Sequence, residues 1–180
     1  GACPHSGACQ TSLVLSRAAP ALIHAADLLE SAGRQSDAER VRLHRWVRDV
    51  ALPAASERDN NWGDAGTYLR AVAAVELGDQ TELDAAIEQW RTGVDLIAAD
   101  GHIPEETRRG KAGLLYSQEA LTYKVAVAEL AGRQGIDLWD VTGSGGSSLH
   151  DALVLTADAL REPTQWQWHD NPRVPKASPM

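Results

Sequence analysis

Cysteine is nearly absent from this 180-residue chain: Cys3 and Cys9 stand alone, both close to the start. The stretch Cys3-Pro4-His5-Ser6-Gly7-Ala8-Cys9 reads as a small disulfide loop or as free thiols. A structural zinc site is disfavoured because it takes four ligands and only three candidates stand here. Positive charge is also short, with 17 Lys and Arg against 25 Asp and Glu, a net charge of −8. That balance excludes a general nucleic-acid binder held by diffuse positive charge, so any polyanion has to meet a local basic site. No apolar run approaches the ~20 residues of a membrane-spanning helix, and no membrane partner is expected. Gly1-Ala2-Cys3-Pro4-His5 lacks the charged and apolar regions of a signal peptide, which leaves a mature chain, a cytoplasmic one, or a piece of something longer. Alternating or β-branched runs long enough for strands are nearly missing too.

What is present is apolar spacing of helical period, in a chain whose 43% hydrophobic and 23% charged residues are ordinary for a globular protein. The spacing predicts a helix over Ala21–Ala32 with Pro20 in its first turn and Gly33 as its C-cap. A second carries Leu43, Trp46, Val47 and Val50 and stops before Pro53. A third follows Asn61 with Leu69, Val72, Ala73 and Leu77, up to Gly78. The fourth holds Leu83, Ala86, Ile87, Trp90, Val94 and Ile97 on one stripe until Asp100-Gly101. A fifth spans about Ser117–Ala131, and a sixth runs from Ser148 to Leu160 after the flexible linker Gly143–Ser147. The expected fold is all-α, with helical hairpins side by side forming a partial or small α/α toroid over residues 1–162. Residues 163–180, rich in proline and tryptophan, form a tail that drapes over the helices.

Two loops place unusual polar residues just before helices. In Asp59-Asn60-Asn61-Trp62-Gly63-Asp64, an asparagine N-cap with tryptophan packed over it is one reading. The other is an amide donor at a positive helix N-terminus, a pocket for a carboxylate. In Asp100-Gly101-His102-Ile103-Pro104-Glu105-Glu106-Thr107-Arg108-Arg109-Gly110-Lys111, the cations Arg108, Arg109 and Lys111 form the densest basic cluster of an acidic chain. They suit either a solvated, salt-bridged loop with Glu105 and Glu106 or an anion clamp with Tyr116 at its edge. A phenol ordinarily ionises near pH ~10, and an arginine close to its oxygen favours the phenolate.

Asn60-Asn61-Trp62, Trp90-Arg91-Thr92-Gly93-Val94, Asp100 through Glu106, Arg108-Arg109, Leu115-Tyr116, Ala120-Leu121 and Gly135-Ile136-Asp137-Leu138 occur in an order and at a spacing that resembles the alginate lyase family of α/α-toroid polysaccharide lyases. The resemblance implies β-elimination on a 4-linked polyuronate of mannuronate or glucuronate type, leaving an unsaturated uronate. The substrate would be an acidic polysaccharide. No metal or cofactor is expected, and the setting would be secreted or periplasmic. It also implies that Asn61 neutralises the substrate carboxylate, that Arg109 assists it, and that Tyr116 exchanges protons. Asn60, Trp62, Arg108, Lys111 and His102 are the corresponding substrate-binding candidates.

This sequence departs from the family in two ways. The histidine that follows the motif asparagine is Trp62 here, and an indole cannot accept a proton. Much of the N-terminal helical portion has no counterpart, so a second chain or copy is a candidate to complete the cleft. A carbohydrate-binding or structural helical module that kept the fold without the chemistry is the competing reading. His24, His44 and His150 read as packed or surface residues. Trp166 and Trp168 read as tail packing or as sugar-stacking faces. Glu105, Glu106 and Glu119 read as helix-start electrostatics, with a glycosidase-like carboxylate pair as the alternative.

Overall fold

The computed structural model describes residues 7–175, with side chains from residue 11 onward, so the Cys3 and Cys9 thiols and their pairing lie outside what is described. Among the described residues the secondary structure is helical, apart from one isolated bridge pairing Thr142 with Ser148. The all-α expectation holds. The chain divides into two compact units, one of residues up to Arg58 together with Trp62–Gln89, the other of Asp59–Asn61 together with Trp90 onward.

In the first unit, α1 (Gly7–Ser31) starts well before the expected Ala21 and carries Pro20 inside it. A mid-helix proline removes a backbone bond, which favours ending the helix there. The apolar spacing nevertheless continues through it, and Leu13, Ala19 and Ile23 are all buried on one face. Burial of that face outweighs the local penalty. The opposite face leaves Val14, Leu22, Leu28 and Leu29 exposed. Thr11–Ser31 is, by length and composition only, long and apolar enough to cross a membrane. This corrects the expectation that no apolar run approaches that length, because alanine and leucine interspersed with a few charges reach it. Core helices and signal sequences share that property.

Gly33, at φ +63°, ends α1 as expected, with its N–H on the Glu30 carbonyl and the Arg34 N–H on that of Leu29. α2 (Asp37–Trp46) opens on a capping box in which Ser36 and Glu39 satisfy each other's backbone N–H groups. A π-helical turn, Val47–Ala51, and a 3-10 turn, Leu52–Ala54, follow and pack against α1. Next come α3 (Asn61–Leu77) and α4 (Gln80–Asp95), whose residues Ala65, Leu69, Val72, Leu83, Ala86 and Ile87 supply core to this unit.

The second unit takes the end of α4, then α5 (Pro104–Thr107), α6 (Gly113–Arg133) and α7 (Leu149–Arg161). α4 stops at Asp95 rather than near Asp100, although Ile97 beyond it is still buried. Trp90 is 2% exposed and its indole N–H donates to the Lys124 carbonyl at 2.9 Å, tying α4 to α6. Ser148 caps α7 through a reciprocal box with Asp151. The 143–147 segment is not the flexible linker its composition suggested. The Gly143 N–H donates to the Ser147 carbonyl at 2.8 Å, and the Ser144 N–H donates to the Asp95 carboxylate at 2.7 Å. A Cβ on Gly143 would lie 2.7 Å from the Val94 carbonyl oxygen. Glycine is there for contact, not for mobility. The start of the tail packs on the helices, with Trp166 buried against Leu114 and Ala159.

Two glycines let α3 approach the segment that precedes it. A Cβ on Gly66 would stand 2.0 Å from the Ser56 carbonyl oxygen, and one on Gly63 would stand 1.5 Å from that of Arg58. In an exposed helix interior, Gly→Ala stabilises by about 1 kcal/mol. Here the sign reverses, because backbone must move to admit the methyl. Gly66→Ala is expected to lower unfolding stability by roughly 2–3 kcal/mol, read as a lower urea midpoint. An unchanged or higher midpoint contradicts this packing.

Candidate active site

Asn61 is the first residue of α3, and it belongs to the second unit with the loop that faces it. That loop is shaped by Pro104, which starts the four-residue α5 from an extended Ile103 and places Glu105 and Glu106 in its first turn. Arg109 follows, then the 3-10 turn Gly110–Ala112 leads into α6, where Tyr116 and Glu119 lie one turn apart on the same face.

Glu106 is fully buried, and its carboxylate accepts the Asn61 backbone N–H at 2.6 Å. Its second oxygen pairs with Arg109 Nη1 at 3.2 Å. The same Nη1 lies 3.1 Å from Asn61 Oδ1, and Asn61 Nδ2 donates to Glu119 Oε2 at 3.0 Å. The Asn61 side chain, 0% exposed, therefore has a cation at its oxygen end and a carboxylate at its nitrogen end. Those partners fix the amide's orientation, since a flip would set donor against donor and acceptor against acceptor. Arg109 also lies over Tyr116, its guanidinium carbon 3.6 Å from the ring centroid. The contact is with the face of the ring, a cation–π arrangement.

Asn61, Arg109 and Tyr116 are thus brought together. Asn60 sits half-buried beside Asn61. Trp62 lies in the first unit, where the Arg58 guanidinium carbon is 4.4 Å above its ring. The remaining candidates do not join the cluster through any described contact. Arg108 is 69% exposed and ion-paired with Glu105. Lys111 is exposed, and its backbone carbonyl accepts the Arg173 N–H at 2.7 Å. His102 makes a 2.5 Å contact from Nδ1 to Asp100 and packs on the Trp168 ring at 4.7 Å between centroids.

Sequence reasoning reads Glu106 and Glu119 as helix-start electrostatics or a glycosidase-like pair, not as partners of Asn61. Acidic residues near helix starts are common, and these meet Asn61 only across separations of 45 and 58 residues. The one local hint was Glu106 three residues before Arg109, a spacing that permits an ion pair.

The helical fold is shared with solved alginate lyases. Residues 7–166 match the Alginate lyase family, and the chain belongs to it. It is 29% identical over 140 residues to an alginate lyase of Cobetia marina, covering 74% of this chain and 37% of that protein. A polysaccharide lyase of Stenotrophomonas maltophilia is 26% identical, with 73% of this chain and 40% of the relative covered. Among solved structures, alginate lyase A1-III, in a histidine-to-alanine variant complexed with tetrasaccharide, superposes with a TM-score of 0.81 at 22% identity, covering 91% of this chain and 50% of that one. The chain thus spans about two fifths to half of the length of these relatives.

The Glu106 anchor and the His102 contact each give a test. Glu106→Ala strands the buried Asn61 N–H, a loss of about 2 kcal/mol, whereas Glu106→Gln keeps an acceptor and is expected to lose clearly less. Equal urea midpoints for the two variants contradict the anchoring. The hydrogen bond from His102 holds the Asp100 carboxyl below its ordinary range, outweighing the opposing effect of partial burial. The contact therefore stabilises the fold above the ordinary aspartate range, and that contribution fades as pH falls through the lowered value. An NMR titration of the Asp100 carboxyl is expected to give a low midpoint that rises in His102→Ala. No rise contradicts the assignment.

Proposed function

We propose that this chain carries the reaction centre of a polysaccharide lyase acting on a 4-linked polyuronate of mannuronate or glucuronate type. The observation that supports it best is the Asn61 carboxamide held between Arg109 and Glu119 beside the ring of Tyr116. A uronate C5 proton is scarcely acidic while the adjacent carboxylate bears full charge, so elimination needs donors that stabilise the enolate-like intermediate. Asn61 has a second amide hydrogen, closed off from solvent in this structure, which a substrate carboxylate reaches only when the residues over it yield, and Arg109 has guanidinium hydrogens besides those on Asn61 and Glu106.

Tyr116 supplies the proton traffic in this reading. As phenolate it takes the C5 proton. The C5–H electron pair becomes the C4–C5 double bond, the C4–O4 bond breaks, and the phenol returns the proton to O4. One group serves both steps only if the C5 hydrogen and O4 lie on the same side of the ring. That holds for mannuronate and glucuronate and fails for guluronate. Trp62, where the family motif has histidine, cannot serve as a base on the opposite side. The family resemblance makes a secreted or periplasmic setting the natural one for such a polymer-degrading enzyme.

Incubation with polymannuronate, glucuronan and polyguluronate, followed by the ultraviolet absorbance of the unsaturated product, is expected to show a rise for one or both of the first two. Tyr116→Phe is expected to abolish turnover while keeping the fold. Asn61→Ala and Arg109→Ala each lose on the order of 3 kcal/mol of transition-state stabilisation, and His102→Ala is milder. No absorbance rise on any polymer, with binding retained, favours a carbohydrate-binding module instead. Wild-type turnover by Tyr116→Phe refutes the proton assignment.

A further inference from the structure

Glu119 has no part in the proton steps above, yet its carboxylate touches the side chain those steps depend on. Its Oε2 accepts from Asn61 Nδ2 at 3.0 Å, while Arg109 Nη1 donates to Oδ1 of the same amide at 3.1 Å. An amide nitrogen carries two hydrogens about 120° apart in one plane. Once Glu119 takes the first, the direction of the second is set. Glu106 fixes the backbone at the same residue through the Asn61 N–H, so the peptide and the amide of Asn61 are each held by a different carboxylate.

We propose that Glu119 is a positioning residue that orients the Asn61 carboxamide, so that its second N–H is presented to the carboxylate of the uronate undergoing elimination. The assignment rests on the lyase reading given above. It differs from a base role for Glu119, which its place one helical turn from Tyr116 also invites. A positioning carboxylate contributes through its lone pair on Asn61, and a glutamine oxygen of the same reach can replace it. A base contributes through proton affinity, and glutamine cannot replace it.

The test compares Glu119→Ala, Glu119→Gln, Asn61→Ala and the double variant Glu119→Ala/Asn61→Ala, using product absorbance on the polymer the wild type cleaves. NMR of the Asn61 side-chain amide in the absence of substrate supplies a readout independent of turnover. Glu119→Ala is expected to lower kcat by about 10- to 100-fold, the scale of a hydrogen bond to a charged group, with a much smaller change in KM. Glu119→Gln is expected to recover most of the loss. The double variant is expected to be no worse than Asn61→Ala, because both substitutions remove one interaction. The two Asn61 amide hydrogens are expected to be well separated in the wild type, to converge in Glu119→Ala, and to separate again in Glu119→Gln.

Glu119→Gln as inactive as Glu119→Ala, with the Asn61 signals restored, overturns the positioning role and makes Glu119 a base. Multiplicative losses in the double variant, or Asn61 signals indifferent to Glu119, overturn it as well. If the wild type cleaves none of the polymers while the Asn61 signals respond as expected, the lyase reading fails and the Glu119–Asn61 contact stands.

Discussion

A single buried carboxylate organises the candidate site. Glu106 has no solvent exposure, and its two oxygens reach in different directions, one to the first backbone N–H of α3 and one to the Arg109 guanidinium. A charge taken out of water is tolerated only when paired and hydrogen-bonded. That requirement brings the start of α3 and the loop before α6 to one place. Asn61 and Arg109 then meet because both are bound to Glu106, and Tyr116 comes under Arg109 because α6 begins four residues after it.

The electrostatic character of this cluster follows from the same contacts. Arg109 faces two carboxylates, Glu106 directly and Glu119 through Asn61, in a chain whose net charge is −8. Diffuse attraction of a polyanion is therefore not what this site offers. In the proposed reading it offers directed donors, the outer guanidinium hydrogens of Arg109 and the buried Asn61 amide, held by Glu106 and Glu119. Preorganised donors of this kind stabilise charge that develops during a reaction without having to rearrange. Arg108 and Lys111, which looked like part of one clamp in the sequence, stay at the surface, where screening weakens their pull.

Much of the fold was legible because burial follows helical spacing. Leu83, Ala86, Ile87, Trp90 and Val94 form the stripe their spacing predicts, and all five are buried. The Gly33 end of α1 was legible as local chemistry, and the sequence places the start of α7 at Ser148, which caps it. The start of α1 was not legible, because Pro20 reads locally as a first-turn residue while the helix runs through it from Gly7. Gly143 and Gly66 were not either, since composition reports a glycine's freedom and says nothing about the carbonyl lying where its Cβ would be. In the site, Asn61, Arg109 and Tyr116 were accessible through motif order. The roles of Glu106 and Glu119 were not, because their partner lies 45 and 58 residues away and, apart from the spacing of Glu106 to Arg109, they resemble ordinary acidic helix starts.

The central claim is that Asn61 and Arg109 together receive the carboxylate of a uronate whose C5 faces Tyr116. A crystal structure of Tyr116→Phe with a mannuronate tetrasaccharide tests it most directly. The account predicts one sugar carboxylate within hydrogen-bonding distance of both Asn61 Nδ2 and the Arg109 guanidinium, with the C5 hydrogen of that sugar directed at the edge of the ring at position 116. An oligosaccharide bound instead along Arg108 and Lys111, with the Asn61 amide untouched, would contradict it.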